Sequence, residues 1–139
     1  MTAWEQVMKQ RVAGAGGVDV RAVRSMVRDL LAKESPEVDT ADADVITAEI
    51  ATNARRYSAS GRCGGGVWVV VLRAAGRTRV EIQDDGDAVT VPMISDEADE
   101  SGRGLLIVDS LAAAWGYRVG QDGDRKVTVW FEMSGAAAG

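Results

Sequence analysis

The chain has 139 residues, with 16 lysines and arginines against 21 aspartates and glutamates, and no histidine. Its formal charge is −5 and 46% of its residues are hydrophobic, so we expect one domain with a sizeable core. A chain without histidine has no imidazole base, no Ser-His-Asp or Cys-His nucleophile and no His-ligated zinc. The single cysteine, Cys63, excludes an internal disulfide and suits a reducing cytoplasm.

Hydropathy and charge also narrow the partners that we expect. No apolar run reaches about 18 residues, the length of a membrane span, and the N-terminus has no signal-peptide core. The acidic balance argues against nucleic acid as the main partner. We therefore expect a cytoplasmic protein that uses neither a membrane nor direct contact with nucleic acid.

Two helices are predicted in the first sixty residues. The first thirteen residues are compatible with a helix or a strand. Apolar residues then recur at helical spacing from Val20 to Glu34, and Ser35-Pro36 ends that helix. Thr40 or Asp42 is expected to cap a second helix that runs to about Ser58.

The rest of the chain is predicted to form a sheet and a third helix. The predicted strands are 67–72, 80–82, 116–120 and 127–131. Residues 86–104 form a long loop with little apolar pattern, and the third helix is expected to start at Gly104. The expected fold class is α+β: a two-layer α/β sandwich in which about three helices cover one face of a mostly antiparallel, mixed sheet. We expect a single domain over residues 1–133 and a flexible tail over 134–139.

The loop before the third helix is strongly acidic. Between Arg79 and Arg103 there are acidic residues and no basic one. A solvated acidic loop and a mobile flap beside a metal site are both compatible with this composition.

Glu49 and Asn53 lie one turn apart at the edge of the apolar stripe of the second helix. Burying a carboxylate or an amide is costly unless something satisfies it. Either both side chains reach water at the margin of the stripe, or they line a cavity that holds a polar ligand. An amide oxygen suits Mg²⁺, and a carboxylate one turn away could orient or deprotonate a water or hydroxyl.

Two further motifs could border such a cavity. Asp84-Asp85-Gly86 follows a predicted strand, although a common acidic turn would explain it equally well. Gly102-Arg103-Gly104 precedes the third predicted helix, whose first free N–H groups would suit a phosphate, although many such glycine pairs are simple turns. The order of the signals is more informative than any one of them.

Taken together, the motifs resemble those of the GHKL ATPases, which have the Bergerat nucleotide-binding fold, over about residues 42–131. The matching segments are Thr47–Ser58 for the N box, Asp84-Asp85-Gly86 for the next box, Gly102–Val108 for the glycine box and Thr128–Phe131 for the closing strand. The likeness is strongest to short bacterial ATPase-domain regulators akin to anti-sigma-factor serine kinases, above all over Glu100–Leu105.

The resemblance implies a site for ATP and Mg²⁺. By this resemblance Asn53 would ligate the Mg²⁺ that bridges the ATP phosphates, and Glu49 would be the base or the group that positions a water. Asp84 would accept the adenine amino proton, and Gly86 would let the purine lie close.

The same resemblance assigns the phosphate end and the lid. Gly102 and Gly104, with Leu105 in the same box, would cradle the phosphates at the hinge of a lid over about residues 87–101. Further ATP contacts would come from Arg56, Tyr57, Arg103 and, through a hydroxyl near the adenine, Thr128. Ala88 stands where the family usually has a second glycine, a change that would narrow the adenine pocket or stiffen the lid.

We therefore expect a Mg-ATP-dependent serine/threonine kinase, or a weak ATPase, of the anti-sigma-factor type. Its partner would be a regulatory protein, either a sigma factor or an antagonist protein, and the relatives imply a homodimer. The alternative is a non-catalytic, ATP-gated binding module for which the basic helix face Arg21-Arg24-Arg28 is a candidate docking surface, and a plain α/β domain without nucleotide is a third interpretation. A histidine kinase in the full sense is excluded, because the chain has no phospho-accepting histidine.

Overall fold

The structure is a computed structural model that describes residues 3–87, 100–121, 123 and 125–135. Its helices are α1 (Val20–Glu34), α2 (Thr40–Tyr57) and α3 (Glu100–Leu111), with a short 3₁₀ turn at Ala59–Gly61. Its strands are β1 (Glu5–Ala13), β2 (Gly66–Ala74), β3 (Arg77–Gln83), β4 (Ala114–Val119) and β5 (Val127–Ser134). None of the helices in these residues is long and apolar enough to cross a membrane.

The strands form one sheet in the order β1-β2-β3-β5-β4. Each neighbouring pair in the described residues is antiparallel, so the sheet is antiparallel where a mostly antiparallel, mixed one was expected. The first thirteen residues, for which the sequence allowed a helix or a strand, contain the edge strand β1. The two-layer α+β arrangement, with helices on one face of the sheet, is confirmed.

The two faces of the sheet differ because successive side chains of a strand point to opposite sides. The face toward the helices is apolar and closed to solvent at Val69, Val71, Val80, Ile82 and Phe131. These side chains form one core with Val23, Val27 and Leu31 of α1 and with Ile46 and Ile50 of α2. The opposite face, which we call the open face, carries Val70, Glu81 and Trp130 at neighbouring strand positions, with Trp68 opposite Gln83.

Both long helices begin at aspartate caps that hold a free backbone N–H group. Asp19 accepts a hydrogen bond from the Ala22 N–H at 3.1 Å, and α1 then ends at Ser35 as predicted. The predicted cap of α2 was wrong. Asp39, rather than Thr40 or Asp42, is the cap, and its carboxylate accepts a hydrogen bond from the Asp42 N–H at 3.0 Å.

The predicted start of α3 at Gly104 was also wrong, because the helix begins four residues earlier, at Glu100. A glycine inside a helix costs about 1 kcal/mol relative to alanine, which packing of an apolar face can offset. Leu105 and Val108 supply that face, with exposures of 3% and 0%. The glycine pair therefore lies within the first turns of α3 and not before them.

Candidate functional site

Helix α2 packs between α1 and α3, so its two flanks have different surroundings. On the α1 side, Arg24 donates two hydrogen bonds to Asp44, at 3.0 and 2.8 Å. These bonds hold the pKa of the Asp44 carboxyl below its usual range. Arg55 donates to the carbonyl oxygens of Val18 and Gly16 at 2.7 and 3.0 Å and fixes the loop before α1. This flank is thus filled by structural contacts.

The other flank of α2 presents Glu49 and Asn53 toward α3. Both side chains are half-buried, and neither makes a hydrogen bond or ion pair within the described part of the chain. At about 100° per residue, Glu49 and Asn53 lie side by side along this flank. Two neighbouring polar groups that have no partner among the described residues are therefore available to a ligand.

Gly104 of α3 lies directly against Glu49. A Cβ atom built on Gly104 would lie 2.6 Å from Glu49 Oε2, well inside van der Waals contact. Only glycine lets the α3 backbone approach this carboxylate so closely. The structure thus brings the N-box carboxylate and the glycine box together, although they are far apart in sequence.

Asp84 is fixed at the end of β3 and points to the helix side of the sheet. It is 7% exposed, and its Oδ1 accepts hydrogen bonds from the N–H groups of Gly86 and Val127, at 2.9 and 3.0 Å. The Asp84 N–H in turn donates to the Val127 carbonyl at 3.0 Å. Gly86 is buried and has a φ of +92°, a left-handed conformation that favours glycine. The Asp-x-Gly segment is therefore a turn that is held by these hydrogen bonds and by the left-handed conformation of Gly86.

Asp85 holds this turn from the opposite side. Arg11 of β1 donates to its two carboxylate oxygens at 2.7 and 2.8 Å, and the Gly66 N–H donates to Oδ2 at 2.9 Å. The buried Ser60 hydroxyl accepts from the Asp85 N–H at 3.0 Å. The hydrogen bond from Arg11 is the main reason that the pKa of the Asp85 carboxyl lies below its usual value. Sequence reasoning missed Arg11 and Ser60, since neither belongs to a motif.

Thr128 is a predicted site residue that the structure places away from Asp84, on the other face of the sheet. Its side chain is on the open face, where the hydroxyl accepts a long hydrogen bond of 3.4 Å from Gln83 Nε2. The strand residue beside Asp84 on the helix side is Val127, whose apolar side chain makes no hydrogen bond. Val127 binds Asp84 through its backbone N–H and carbonyl groups. Thr128 is therefore not among the residues that line the helix side of the sheet near Asp84. The alternation of β5 side chains, with Phe131 in the core, was the signal that could have shown this.

Some of the remaining predicted residues lie within the part of the chain that the structure describes, and others lie outside it. Arg56 and Tyr57 lie at the end of α2, with the guanidinium 5.3 Å from the centre of the ring. Leu105 is buried, at 3% exposure. Gly102 and Arg103 lie in the first turn of α3, and residues 88–99, which include Ala88 and most of the expected lid, lie outside the described residues.

The side chains at this flank fit Mg²⁺ held jointly with phosphate. Asn53 and Glu49 supply hard oxygen atoms, which is the ligand type that Mg²⁺ prefers. Within the residues that the structure describes, no group of three or more His, Cys, Asp or Glu side chains could hold a metal ion by itself. Mg²⁺ commonly binds through one or two protein ligands together with substrate phosphates and water, so this donor set matches that mode.

Comparison with known structures supports the same fold. A chain of the SiaB–SiaC complex from Pseudomonas aeruginosa is similar over 92% of this chain and 89% of its own length, with a TM-score of 0.58 and 16% identity. The mycobacterial sensor histidine kinase MprB is similar over 92% of this chain and 98% of its own, with a TM-score of 0.56 and 15% identity. At these identities the likeness concerns the fold alone. No curated protein sequence matches significantly.

The sequence of the chain also matches the model of a protein family. The model of the histidine kinase-like ATPase domain matches residues 16–131, which include α2, the Asp-x-Gly turn, α3 and most of β5. The match also contains the four motif segments from which the GHKL resemblance was inferred. ATP is the ligand that an ATPase domain implies. The chain belongs to the histidine kinase-like ATPase domain family.

Proposed function

We propose that this protein is an ATP-binding regulator that transfers the γ-phosphoryl group of ATP to a serine or threonine hydroxyl of a partner protein. The observation that carries the proposal is the flank of α2, where Glu49 and Asn53 lie side by side without partners among the described residues. Gly104 adds the close approach of α3 to the Glu49 carboxylate. A phosphate group near this junction would lie beside a carboxylate, an amide and the second turn of α3.

The adenine end of the site would be the Asp84–Gly86 turn. A buried carboxylate fixed by two backbone N–H groups presents a constant geometry to a purine amino group. Gly86, buried and without a Cβ, leaves room for a flat ring. The ATP would therefore extend from this turn along α2 toward Glu49 and Gly104, with Arg56 and Tyr57 as further phosphate contacts.

The chemistry requires little beyond positioning and charge neutralisation. Asn53 would hold Mg²⁺, which would supply neutralisation of the charge on the transferring group. Glu49 would accept the proton of the attacking hydroxyl while the new phosphorus–oxygen bond forms and the bond to the ADP oxygen breaks. With water in place of the hydroxyl, the same arrangement gives a weak ATPase.

A partner that carries the acceptor hydroxyl is part of this proposal, because the chain has no histidine to phosphorylate. The similar Pseudomonas aeruginosa chain comes from a complex between SiaB and SiaC, which supports a protein partner here as well. We propose a regulatory protein in the cytoplasm, a sigma factor or an antagonist protein, and a homodimeric ATPase. The basic face of α1 is a weaker docking candidate than its sequence indicated, since Arg24 is engaged by Asp44.

Incubation with γ-labelled ATP and candidate partner proteins tests the proposal. We expect label on a partner serine or threonine and a loss of at least about a hundredfold in transfer rate for Glu49→Ala, as for removal of a general base. Mg-ATP binding by Glu49→Ala should remain. Asp29→Ala, an exposed carboxylate on α1, is the matched control and should transfer at the wild-type rate.

The same experiment separates the kinase from the ATP-gated binding module. A module would bind Mg-ATP and change its affinity for the partner, yet it would label no protein and release no phosphate. Full transfer by Glu49→Ala would remove Glu49 from the proposed role.

A further inference from the structure

The open face of the sheet contains a cavity of about 170 Å³, on the side away from the helices. Its base is formed by Val70, Glu81, Gln83 and Thr128 of β2, β3 and β5. Residues of the two edge strands border it: Lys9 comes from β1 beside Trp68, and Arg118 comes from β4. The sheet lies between this cavity and Asp84, so the two sites are separate.

The cavity stays open because Trp130 is directed away from it. The Trp130 ring lies over β4, where a Cβ atom on Gly116 would be 2.7 Å from its Cζ2. Arg79 lies on the ring with its guanidinium 3.9 Å from the ring centre and holds it there. The space above Glu81 and Gln83 is therefore left unfilled by the large side chain next to it.

The charge at the cavity is positive although the whole chain is acidic. Glu81 accepts a hydrogen bond from Arg79 at 2.8 Å and another from Arg118 at 2.7 Å. Burial raises the pKa of the Glu81 carboxyl, but these two guanidiniums outweigh it and the pKa is lowered, so Glu81 is a neutralised carboxylate. Lys9 has no carboxylate partner within the described part of the chain, and its ammonium lies 5.5 Å from the centre of the Trp68 ring.

The cavity also offers an aromatic wall and a buried hydroxyl. Trp68 is half-buried beside Val70, which gives a flat apolar surface. Thr128 is 4% exposed, and its one described hydrogen bond, from Gln83, is long at 3.4 Å. The Thr128 O–H can thus donate to an acceptor in the cavity.

We propose that this open-face cavity binds a small organic anion with a flat apolar body, such as an aromatic carboxylate or an aromatic phosphate. The ring of the ligand would lie against Trp68. Its anionic group would accept hydrogen bonds from the ammonium of Lys9 and from the outer N–H groups of Arg118. The Thr128 hydroxyl would donate to the same group. The site does not depend on the nucleotide function proposed above.

Calorimetry with 1-naphthoate, in the presence of saturating Mg-ATP, tests this inference. We expect one site per chain, and about tenfold weaker binding of neutral 1-naphthylmethanol, because it lacks the charge that Lys9 and Arg118 would neutralise. Lys9→Gln should weaken 1-naphthoate about fivefold, the loss expected for one partly exposed charge contact. Lys33→Gln on α1 is the matched control and should bind as the wild type does. 1-Naphthyl phosphate in place of the carboxylate shows which anion the site prefers.

A second readout measures binding in the wild-type protein, so that it does not depend on whether a substituted protein folds. The indole N–H signal of Trp68 in an NMR spectrum, assigned by its loss in Trp68→Leu, should shift on addition of 1-naphthoate, while that of Trp4 should not. Binding that Mg-ATP abolishes, equal affinity for the neutral alcohol, or an unchanged affinity in Lys9→Gln would each overturn the proposal. No binding at millimolar 1-naphthoate or 1-naphthyl phosphate would overturn it as well.

Discussion

Arg11 and Asp85, 74 residues apart in sequence, form an ion pair through two hydrogen bonds of 2.7 and 2.8 Å. The pair connects the edge strand β1 to the turn that follows β3, and the Gly66 N–H and Ser60 hydroxyl complete the support. Asp84, the residue that we assign to adenine, is the neighbour of Asp85 in this turn. The edge strand therefore helps to position the proposed nucleotide site through its contact with Asp85.

Asp85→Asn should loosen this support. The amide cannot accept two bonds from Arg11 and a third from Gly66, so we expect a loss of about 1 kcal/mol in the free energy of unfolding, as for a partly exposed bidentate pair. Mg-ATP affinity should fall with it, because the Asp84 turn is less well fixed. Urea titration and calorimetry measure the two effects. Asp29→Asn is the control, and unchanged values for Asp85→Asn would show that the pair positions nothing.

The contribution of Asp85 should depend on pH in a defined direction. Its folded pKa is lowered, mainly by Arg11, from the usual value of 3.8. The stabilisation is therefore complete above the unfolded value and is lost as the pH falls through the folded one. The difference in melting temperature between the wild type and Asp85→Asn should be constant from neutral pH to about pH 5, since the carboxyl is ionised in both the folded and the unfolded chain there, and should shrink toward about pH 3. A difference that grows on acidification would contradict the assigned cause.

Gly104→Ala should separate stability from activity. The added Cβ meets the far end of the flexible Glu49 side chain, which can rotate away, while alanine favours the helix by about 1 kcal/mol. We expect an unchanged or higher melting temperature together with a large loss of phosphoryl transfer, because the carboxylate is displaced. Differential scanning calorimetry and the label-transfer assay measure the two quantities. If Gly104→Ala transfers phosphate normally, the contact with Glu49 has no functional part.

Substitution of Thr47 should change the stability of the protein and leave its activity unchanged. It is fully buried on α2, and its hydroxyl has no hydrogen-bond partner within the described structure. Thr47→Val keeps the shape and removes the unsatisfied group, so we expect a gain of up to about 1 kcal/mol in the free energy of unfolding. Thr47→Ala, which leaves a small cavity, should lose about 1 kcal/mol. A clear loss in the valine variant would mean that the hydroxyl has a partner such as a buried water.

The fold was largely predictable because its signals are local. Helical spacing placed α1 correctly, and the β-branched runs located the hairpin of β2 and β3. The edge strand β1 was not decided, since its mixed polar and apolar residues fit either period. The start of α3 was missed because a glycine pair is a common turn signal, and only packing against the core shows that the helix continues through it.

The motif residues of the candidate site could be predicted from the sequence, but the residues that hold the Asp84–Gly86 turn in place could not. Glu49, Asn53 and Gly104 could be singled out by spacing and by resemblance, and the structure brings Glu49 and Gly104 together. Arg11 and Ser60 could not be predicted, because they support the turn only through hydrogen bonds to Asp85, which is distant in sequence. Thr128 was assigned by its place in a motif, whereas the alternation of strand side chains places it on the open face.

Binding of Mg-ATP at the flank of α2 can be tested by a calorimetric titration of the wild-type and Asn53→Ala proteins. We expect one Mg-ATP per chain for the wild type. Asn53→Ala should lose Mg-dependent binding, while Thr52→Ala, the neighbouring position on α2, should bind as the wild type does. Equal Mg-ATP affinity of the wild type and Asn53→Ala would show that Asn53 does not hold Mg-ATP and that the site lies elsewhere.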